Sequence, residues 1–128
     1  MQTMTKLLLV GAGGFLGSIA RALLSNFVQQ TSDSAFPLGT LAVNVIGCFV
    51  IGALSQVGET REIFSAETRA FLFVGVLGGF TTYSSFGNET INLWRGSMGW
   101  LAFVNVAAQL LLGLGAVLVG RWFAERLW

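Results

Sequence analysis

Four long apolar stretches, separated by short polar connections, constrain this chain more than any other feature of its sequence. They cover residues 7–28, 38–57, 71–94 and 98–123 of the 128-residue chain. A helix needs about 20 predominantly apolar residues to cross the hydrocarbon core of a bilayer, so each stretch is long enough to span it. The sequence therefore predicts an all-α integral membrane protein: one membrane domain over residues 1–128, with four transmembrane helices in lipid.

The composition excludes several classes of protein. Only 10% of the residues are charged, and the net charge is +1, which argues against a nucleic-acid partner. There is no histidine, so the commonest general base near neutral pH is missing, and Cys48 is the only cysteine. No nucleophile and base pair stands out, and we do not expect an enzyme.

The glycine-rich first span allows two interpretations. Residues 11–17 read GAGGFLG, which is similar to the phosphate-binding turn of a dinucleotide-binding fold. That fold needs alternating strands and helices, for which the chain is too short. Pairs of small residues four positions apart instead favour the close approach of transmembrane helices. Such pairs are Gly13/Gly17, Gly75/Gly79 and Ala116/Gly120.

Polar side chains inside the spans fall on shared helix faces. Thr40 and Asn44 are four residues apart in the second span, and Asn105 and Gln109 are four apart in the fourth. Intramembrane polar groups either hydrogen-bond across a packed interface or line a water-filled path. The spacing alone leaves both roles open.

The centre of the third span favours a path. Residues 78–89 read GGFTTYSSFGNE, and these glycines and hydroxyls lie near the expected bilayer midplane. We therefore expect a helix broken near the midplane, which is tolerated only where backbone is buried in protein or lines a cavity. The available groups are neutral donors and aromatic ring edges, which suit a small anion.

The third-span motif resembles a known family. Residues 36–44 (FPLGTLAVN) and 75–86 (GVLGGFTTYSSF), on a four-span chain of this length, are similar to the bacterial fluoride ion channels of the Fluc or CrcB family. The resemblance implies a fluoride-selective channel that passively exports fluoride across the bacterial plasma (inner) membrane and lowers its cytoplasmic concentration. It also implies an antiparallel, dual-topology homodimer with a central structural Na⁺ that is not transported.

The resemblance assigns roles to individual residues. Main-chain carbonyls of Gly78 and Thr81 would hold the Na⁺. The fluoride pathway would comprise Asn44 with Thr40 on its helix face, the aromatic residues Tyr83 and Phe86, the hydroxyls of Ser84 and Ser85, and the charged residues Arg21 and Glu89. For Arg21 the alternative is a side chain that extends to the lipid headgroups, and for Glu89 it is a vestibule carboxylate that caps backbone or pairs with a cation.

Three features depart from the family pattern. Tyr83 stands where phenylalanine is usual, and Asn105 and Gln109 stand where tyrosine and serine are frequent. The basic residues also favour one orientation, with a cytoplasmic N-terminus, whereas dual insertion is easiest when they balance. Lys6, Arg61, Arg69, Arg121 and Arg126 fall on one side, and Arg21 and Arg95 on the other.

An alternative function is a small proton-coupled multidrug-type exporter. Such a protein needs a titratable carboxylate in its first span, and residues 7–28 contain neither aspartate nor glutamate. Glu89 would have to take that role. A purely structural subunit, packed through its glycines without any path, is a further possibility.

Overall fold

The computed structural model describes residues 2–128, and nearly all of them are helical. No strand occurs in this described part of the chain, so the all-α prediction is confirmed. Four spans are long and apolar enough to cross a membrane: Gln2–Ser32, Leu38–Arg61, Ala66–Arg95 and Gly99–Leu127. They begin and end close to the predicted stretches; the first and third exceed them at both ends, and the second and fourth at the C-terminal end only.

The third span is composite, whereas the others are single helices. Helix α1 is Gln2–Ser32, α2 is Leu38–Arg61 and the last helix, α6, is Gly99–Leu127. The third span contains α3 (Ala66–Arg69), a π-helical segment (Ala70–Leu77), α4 (Gly78–Phe80) and α5 (Tyr83–Arg95). The hydrogen-bonding pattern of the backbone therefore changes three times within this one span.

Glycines set the two closest helix contacts. α1 packs on the π-helical segment and α2 packs on α6. A Cβ at Gly13 or Gly17 of α1 would collide with the carbonyl oxygen of Phe71 or Val76, respectively, and a Cβ at Gly120 would collide with the carbonyl oxygen of Phe49. These contacts confirm that the small-residue pairs allow close approach of helix backbones.

A single glutamine organises the connection between α1 and α2. The Gln29 amide donates to the carbonyls of Ser34 and Phe36 at 2.9 and 3.2 Å. Its Oε1 accepts from the Gly39 backbone N–H at 3.1 Å. These bonds satisfy loop carbonyls and one of the free N–H groups at the start of α2, and so fix where α2 begins beside α1.

Most of the apolar surface faces outward. Only 11% to 28% of the most apolar part of each span is buried within the chain. Among the described residues, Val43 and Asn105 are the largest side chains that are completely buried. A monomer with so much exposed apolar surface needs lipid or another protein surface to cover it.

Candidate ion pathway

The backbone between α4 and α5 is extended at two residues. Thr81 has φ −92° and ψ 162°, and Thr82 has φ −150° and ψ 122°. The Asn44 side chain of α2 binds this point from across the bundle. Its Oδ1 accepts from the Thr82 N–H at 2.8 Å, and its Nδ2 donates to the Thr82 carbonyl at 3.0 Å. Asn44 thus satisfies both polar groups of a residue that lies outside the helical ladder.

The same contacts redirect two helical hydrogen bonds. In a continuous α-helix, each carbonyl accepts from the N–H four residues later. The Thr82 N–H would then bond Gly78, but it donates to Asn44. The Ser85 N–H would bond Thr81, but it donates to the Thr82 hydroxyl at 3.2 Å, which caps α5. The carbonyls of Gly78 and Thr81 are therefore released from their usual donors.

A cavity of about 390 Å³ lies beside the extended residues. Asn44, Tyr83 and Phe86 line it, together with Gly78 and Thr81, so five of the residues singled out from the sequence come together here. No described residue in its wall carries a formal charge; the other wall residues are Gly47, Cys48, Ile51, Phe73, Leu77, Thr82, Gln109 and Leu110. Its polarity comes from amide, hydroxyl and backbone groups.

The two aromatic rings are arranged edge to face at the cavity. The ring centroids of Tyr83 and Phe86 are 5.7 Å apart, with 64° between the planes. Ring edges carry the positive part of the aromatic quadrupole. The Tyr83 side chain is 84% exposed in the single chain, so its hydroxyl is not buried among apolar groups.

Gln109 of α6 joins the cavity through Asn44. Asn44 Nδ2 donates to Gln109 Oε1 at 3.0 Å. Gln109 Nε2 is buried and has no hydrogen-bond partner within residues 2–128. Sequence reasoning placed Gln109 on a polar face but did not assign it to the pathway. The signal was present, because an amide inside a span is expensive and needs a partner or a function.

Thr40 and Glu89 lie in a second cavity of about 300 Å³. The Thr40 hydroxyl donates to Glu89 Oε1 at 2.7 Å. Glu89 Oε2 is buried and has no partner among the described residues. Thr40 and Asn44 share one face of α2, but they line different cavities: Asn44 lines the first and Thr40 lines the second.

Asn105, the other side-chain amide of α6 discussed above, lines neither cavity and instead contacts α5. Its side chain is completely buried, and its Nδ2 donates to the Thr90 hydroxyl at 2.9 Å. That hydroxyl donates in turn to the Phe86 carbonyl at 2.7 Å. Asn105 therefore holds α5 against α6 and fixes the part of α5 that carries Phe86.

The remaining predicted pathway residues line neither cavity. The Ser84 hydroxyl lies 3.5 Å from the Thr82 hydroxyl, and Ser85 contributes its backbone N–H to the α5 cap. Arg21 of α1 is half-buried, and its Nε has no partner in the described part of the chain. No group of three or more His, Cys, Asp or Glu side chains that could hold a metal occurs in residues 2–128.

Comparison with known proteins identifies the family. The family model described as "CrcB-like protein, Camphor Resistance (CrcB)" matches residues 8–121. A Sorangium cellulosum protein named fluoride-specific ion channel FluC is 46% identical, over 92% of this chain and 93% of its own.

Two further relatives carry the same name. The Shewanella woodyi protein is 44% identical, over 92% of this chain and 94% of its own. The Ruminiclostridium cellulolyticum protein is 36% identical, over 98% of this chain and 96% of its own. With four apolar spans and a match over nearly its whole length, this multi-pass membrane protein belongs to the CrcB family.

Proposed function

We propose that this protein is a fluoride-selective ion channel through which fluoride leaves the cell passively. The observation that carries the proposal is the uncharged cavity, in which amide groups and ring edges converge beside extended backbone. Membership of a family whose relatives are named fluoride-specific ion channels gives the same assignment.

The chemistry of the cavity suits a small anion. A fluoride ion can exchange water for N–H donors and ring edges without meeting a cationic side chain that would retain it. Conduction needs binding strong enough to admit the ion and weak enough to release it. A membrane potential of about 100 mV, negative inside, favours outward movement of one anion by roughly 2.3 kcal/mol. Export therefore needs no fuel.

The pathway passes the first cavity and reaches a vestibule. Asn44, Tyr83 and Phe86 form the narrow part, and the second cavity with Thr40 and Glu89 is the vestibule. Ser84 and Ser85 extend the hydroxyl-bearing stretch along the start of α5. Arg21 attracts anions towards the entrance by its charge. The shared cavity of the first three residues supports their grouping.

A structural sodium ion fits the extended backbone of the third span. Carbonyl oxygens are suitable ligands for such a hard cation, and Gly78 and Thr81 each lose the N–H group that a continuous helix would supply. These two carbonyls would hold the ion, which stays bound and supplies fixed positive charge. In this proposal the extended residues lie near the bilayer midplane, where the helix is broken.

The functional unit is an antiparallel homodimer in the bacterial inner membrane. One chain leaves the first cavity open on the side of Tyr83, whose side chain is 84% exposed. The outward-facing apolar surface of the spans also needs a cover. A second, inverted copy would close the cavity and supply the other carbonyls of a sodium site.

A proton-coupled exporter is the weaker proposal. Residues 7–28 contain no carboxylate, and the Glu89 carboxylate already accepts a hydrogen bond from the Thr40 hydroxyl at 2.7 Å.

The experiment that separates the two functions is ion efflux from liposomes that contain the purified protein. A fluoride channel releases fluoride and retains chloride, and neither ion would move through an exporter of cationic drugs.

A further inference from the structure

A groove of about 300 Å³ runs between α5 and α6 on the surface of the chain. Its walls are apolar side chains of both helices: Ile91 and Trp94 on α5, and Ala102, Phe103 and Val106 on α6. Trp94 and Phe103 are 68% and 75% exposed, so this α5–α6 groove is open to whatever surrounds the chain. It shares no wall residue with either cavity of the proposed fluoride path.

The α5–α6 groove offers an occupant little to hydrogen-bond. Thr90 lines it, but the Thr90 hydroxyl donates to the Phe86 carbonyl at 2.7 Å and accepts from Asn105 Nδ2 at 2.9 Å. An apolar occupant therefore suits the groove. Because α5 and α6 belong to two membrane spans, the acyl chains of lipids are the apolar groups that lie against it.

One end of the groove carries positive charge. Arg95 follows Trp94 directly and ends α5, and Gly99 begins α6. The Arg95 side chain is exposed and has no hydrogen bond or ion pair within residues 2–128. The first N–H groups of α6 lie at the same end without a side-chain cap, and they add partial positive charge beside Arg95.

Little negative charge opposes Arg95. Residues 90–124 contain neither aspartate nor glutamate. Glu89 lies six positions before Arg95, and its carboxylate accepts from the Thr40 hydroxyl of α2. Asp33 follows α1 at the same end of the bundle, but in the described chain α1 packs against neither α5 nor α6. An anionic group at the end of the groove would therefore be attracted by Arg95.

We propose that the α5–α6 groove binds one phospholipid with a negatively charged headgroup, its acyl chain between Trp94 and Phe103 and its phosphate on Arg95. A guanidinium and a phosphate form charge-assisted, often bidentate hydrogen bonds. Tryptophan is enriched at the membrane–water interface, so Trp94 beside Arg95 marks the depth at which a headgroup joins its acyl chains. This lipid site does not depend on fluoride conduction.

Two substitutions test the two halves of the site. Arg95→Gln removes the charge. Gly99→Leu fills the groove, and a Cβ at Gly99 would meet only Trp94 Cδ1, at 3.6 Å, so the added side chain collides with no backbone. Arg126→Gln removes an exposed charge at the opposite end of α6. Gly115→Leu adds the same bulk to α6 where nothing lies within 4 Å. These last two variants are the matched controls.

The readout is native mass spectrometry of the detergent-purified protein, titrated with phosphatidylglycerol or phosphatidylcholine of identical acyl chains. We expect the wild type to prefer phosphatidylglycerol, because the choline cation of the other lipid opposes Arg95. Arg95→Gln should lower the affinity for phosphatidylglycerol about tenfold, since a hydrogen bond between charged groups is lost, and should remove the preference. Gly99→Leu should weaken the binding of both lipids. Both controls should bind as the wild type does.

Three results would overturn the lipid site. The first is equal phosphatidylglycerol affinity in the wild type, Arg95→Gln and Gly99→Leu. The second is an equal loss in Arg126→Gln, which would show attraction to the overall charge of the protein. The same spectra report the mass of the assembly, so the third is a dimer that Gly99→Leu breaks and Gly115→Leu retains. A second copy of the chain, rather than a lipid, would then occupy the groove.

Discussion

At the residue scale, one asparagine determines how the extended backbone is satisfied. Asn44 accepts from and donates to Thr82, at 2.8 and 3.0 Å, so neither polar group of that peptide is left unbonded. An unbonded peptide group inside a membrane would cost several kcal/mol. The polar residue in an otherwise apolar span is therefore explained by backbone that has left the helix.

Replacing Asn44 by aspartate should abolish conduction. The second carboxylate oxygen would lie about 3 Å from the Thr82 carbonyl and from Gln109 Oε1, both of which are acceptors. Losing these bonds and adding a buried negative charge should lower fluoride efflux by more than about tenfold. Asn92→Asp, the same change at an exposed position of α5, is the matched control. Efflux at the wild-type rate from Asn44→Asp would contradict the account.

The sequence identified part of this site and missed the rest for a physical reason. Asn44 stands out as a polar side chain in an apolar span, and the family resemblance assigns Tyr83 and Phe86 to the same path; the three residues do share a cavity. The pairing of Asn44 with Gln109 could not be predicted, since it depends on the rotation of two helices 65 positions apart. Likewise, only the fold shows that Thr40 contacts Glu89 in a separate cavity.

At the element scale, backbone contacts between glycines hold the third span in place. The π-helical segment lies directly on α1 at Gly13 and Gly17. The sequence predicts such contacts from the spacing of small residues. It does not predict the π-helical pattern of Ala70–Leu77, because this segment is apolar at every position and so carries no polar repeat that would distinguish i→i+5 from i→i+4 hydrogen bonding.

A methyl group at Gly17 should destabilise the protein. Its Cβ would collide with the Val76 carbonyl, which belongs to rigid backbone, so Gly17→Ala should cost about 1–3 kcal/mol of stability. Gly11 has nothing within 4 Å of its Cβ position. Gly11→Ala in the same helix should therefore be neutral or slightly stabilising.

The measurement for this pair is the fraction of protein that remains monodisperse in detergent after heating. Gly17→Ala should aggregate at a lower temperature than wild type, and Gly11→Ala should not. Equal thermal stability of the two variants would show that α1 and the third span do not approach as closely as the structure has them.

At the scale of the whole molecule, the orientation of each chain in the membrane decides how the pathway is assembled. An antiparallel dimer places each connection on both sides of the membrane, once per copy. Ala35 and Ile63 are exposed residues at opposite ends of α2. A single cysteine at either position, in a Cys48→Ala background, reports the side on which that connection lies.

Dual topology predicts partial labelling at both positions. In intact cells, a membrane-impermeant thiol reagent should modify about half of the Ala35→Cys chains and about half of the Ile63→Cys chains. Permeabilised cells should show full modification of both. Complete labelling of Ala35→Cys with none of Ile63→Cys is the single orientation that the positive-inside rule alone favours, and it would contradict the antiparallel dimer.

The central claim is that an uncharged, donor-lined cavity in this protein conducts fluoride selectively. Liposomes that contain the purified protein are loaded with potassium fluoride or potassium chloride, and valinomycin sets an equal potassium-driven bias in both. Ion-selective electrodes record release, with protein-free liposomes as the baseline. The account predicts rapid fluoride release and chloride release at the baseline rate; equal rates for the two ions, or no fluoride release, would contradict it.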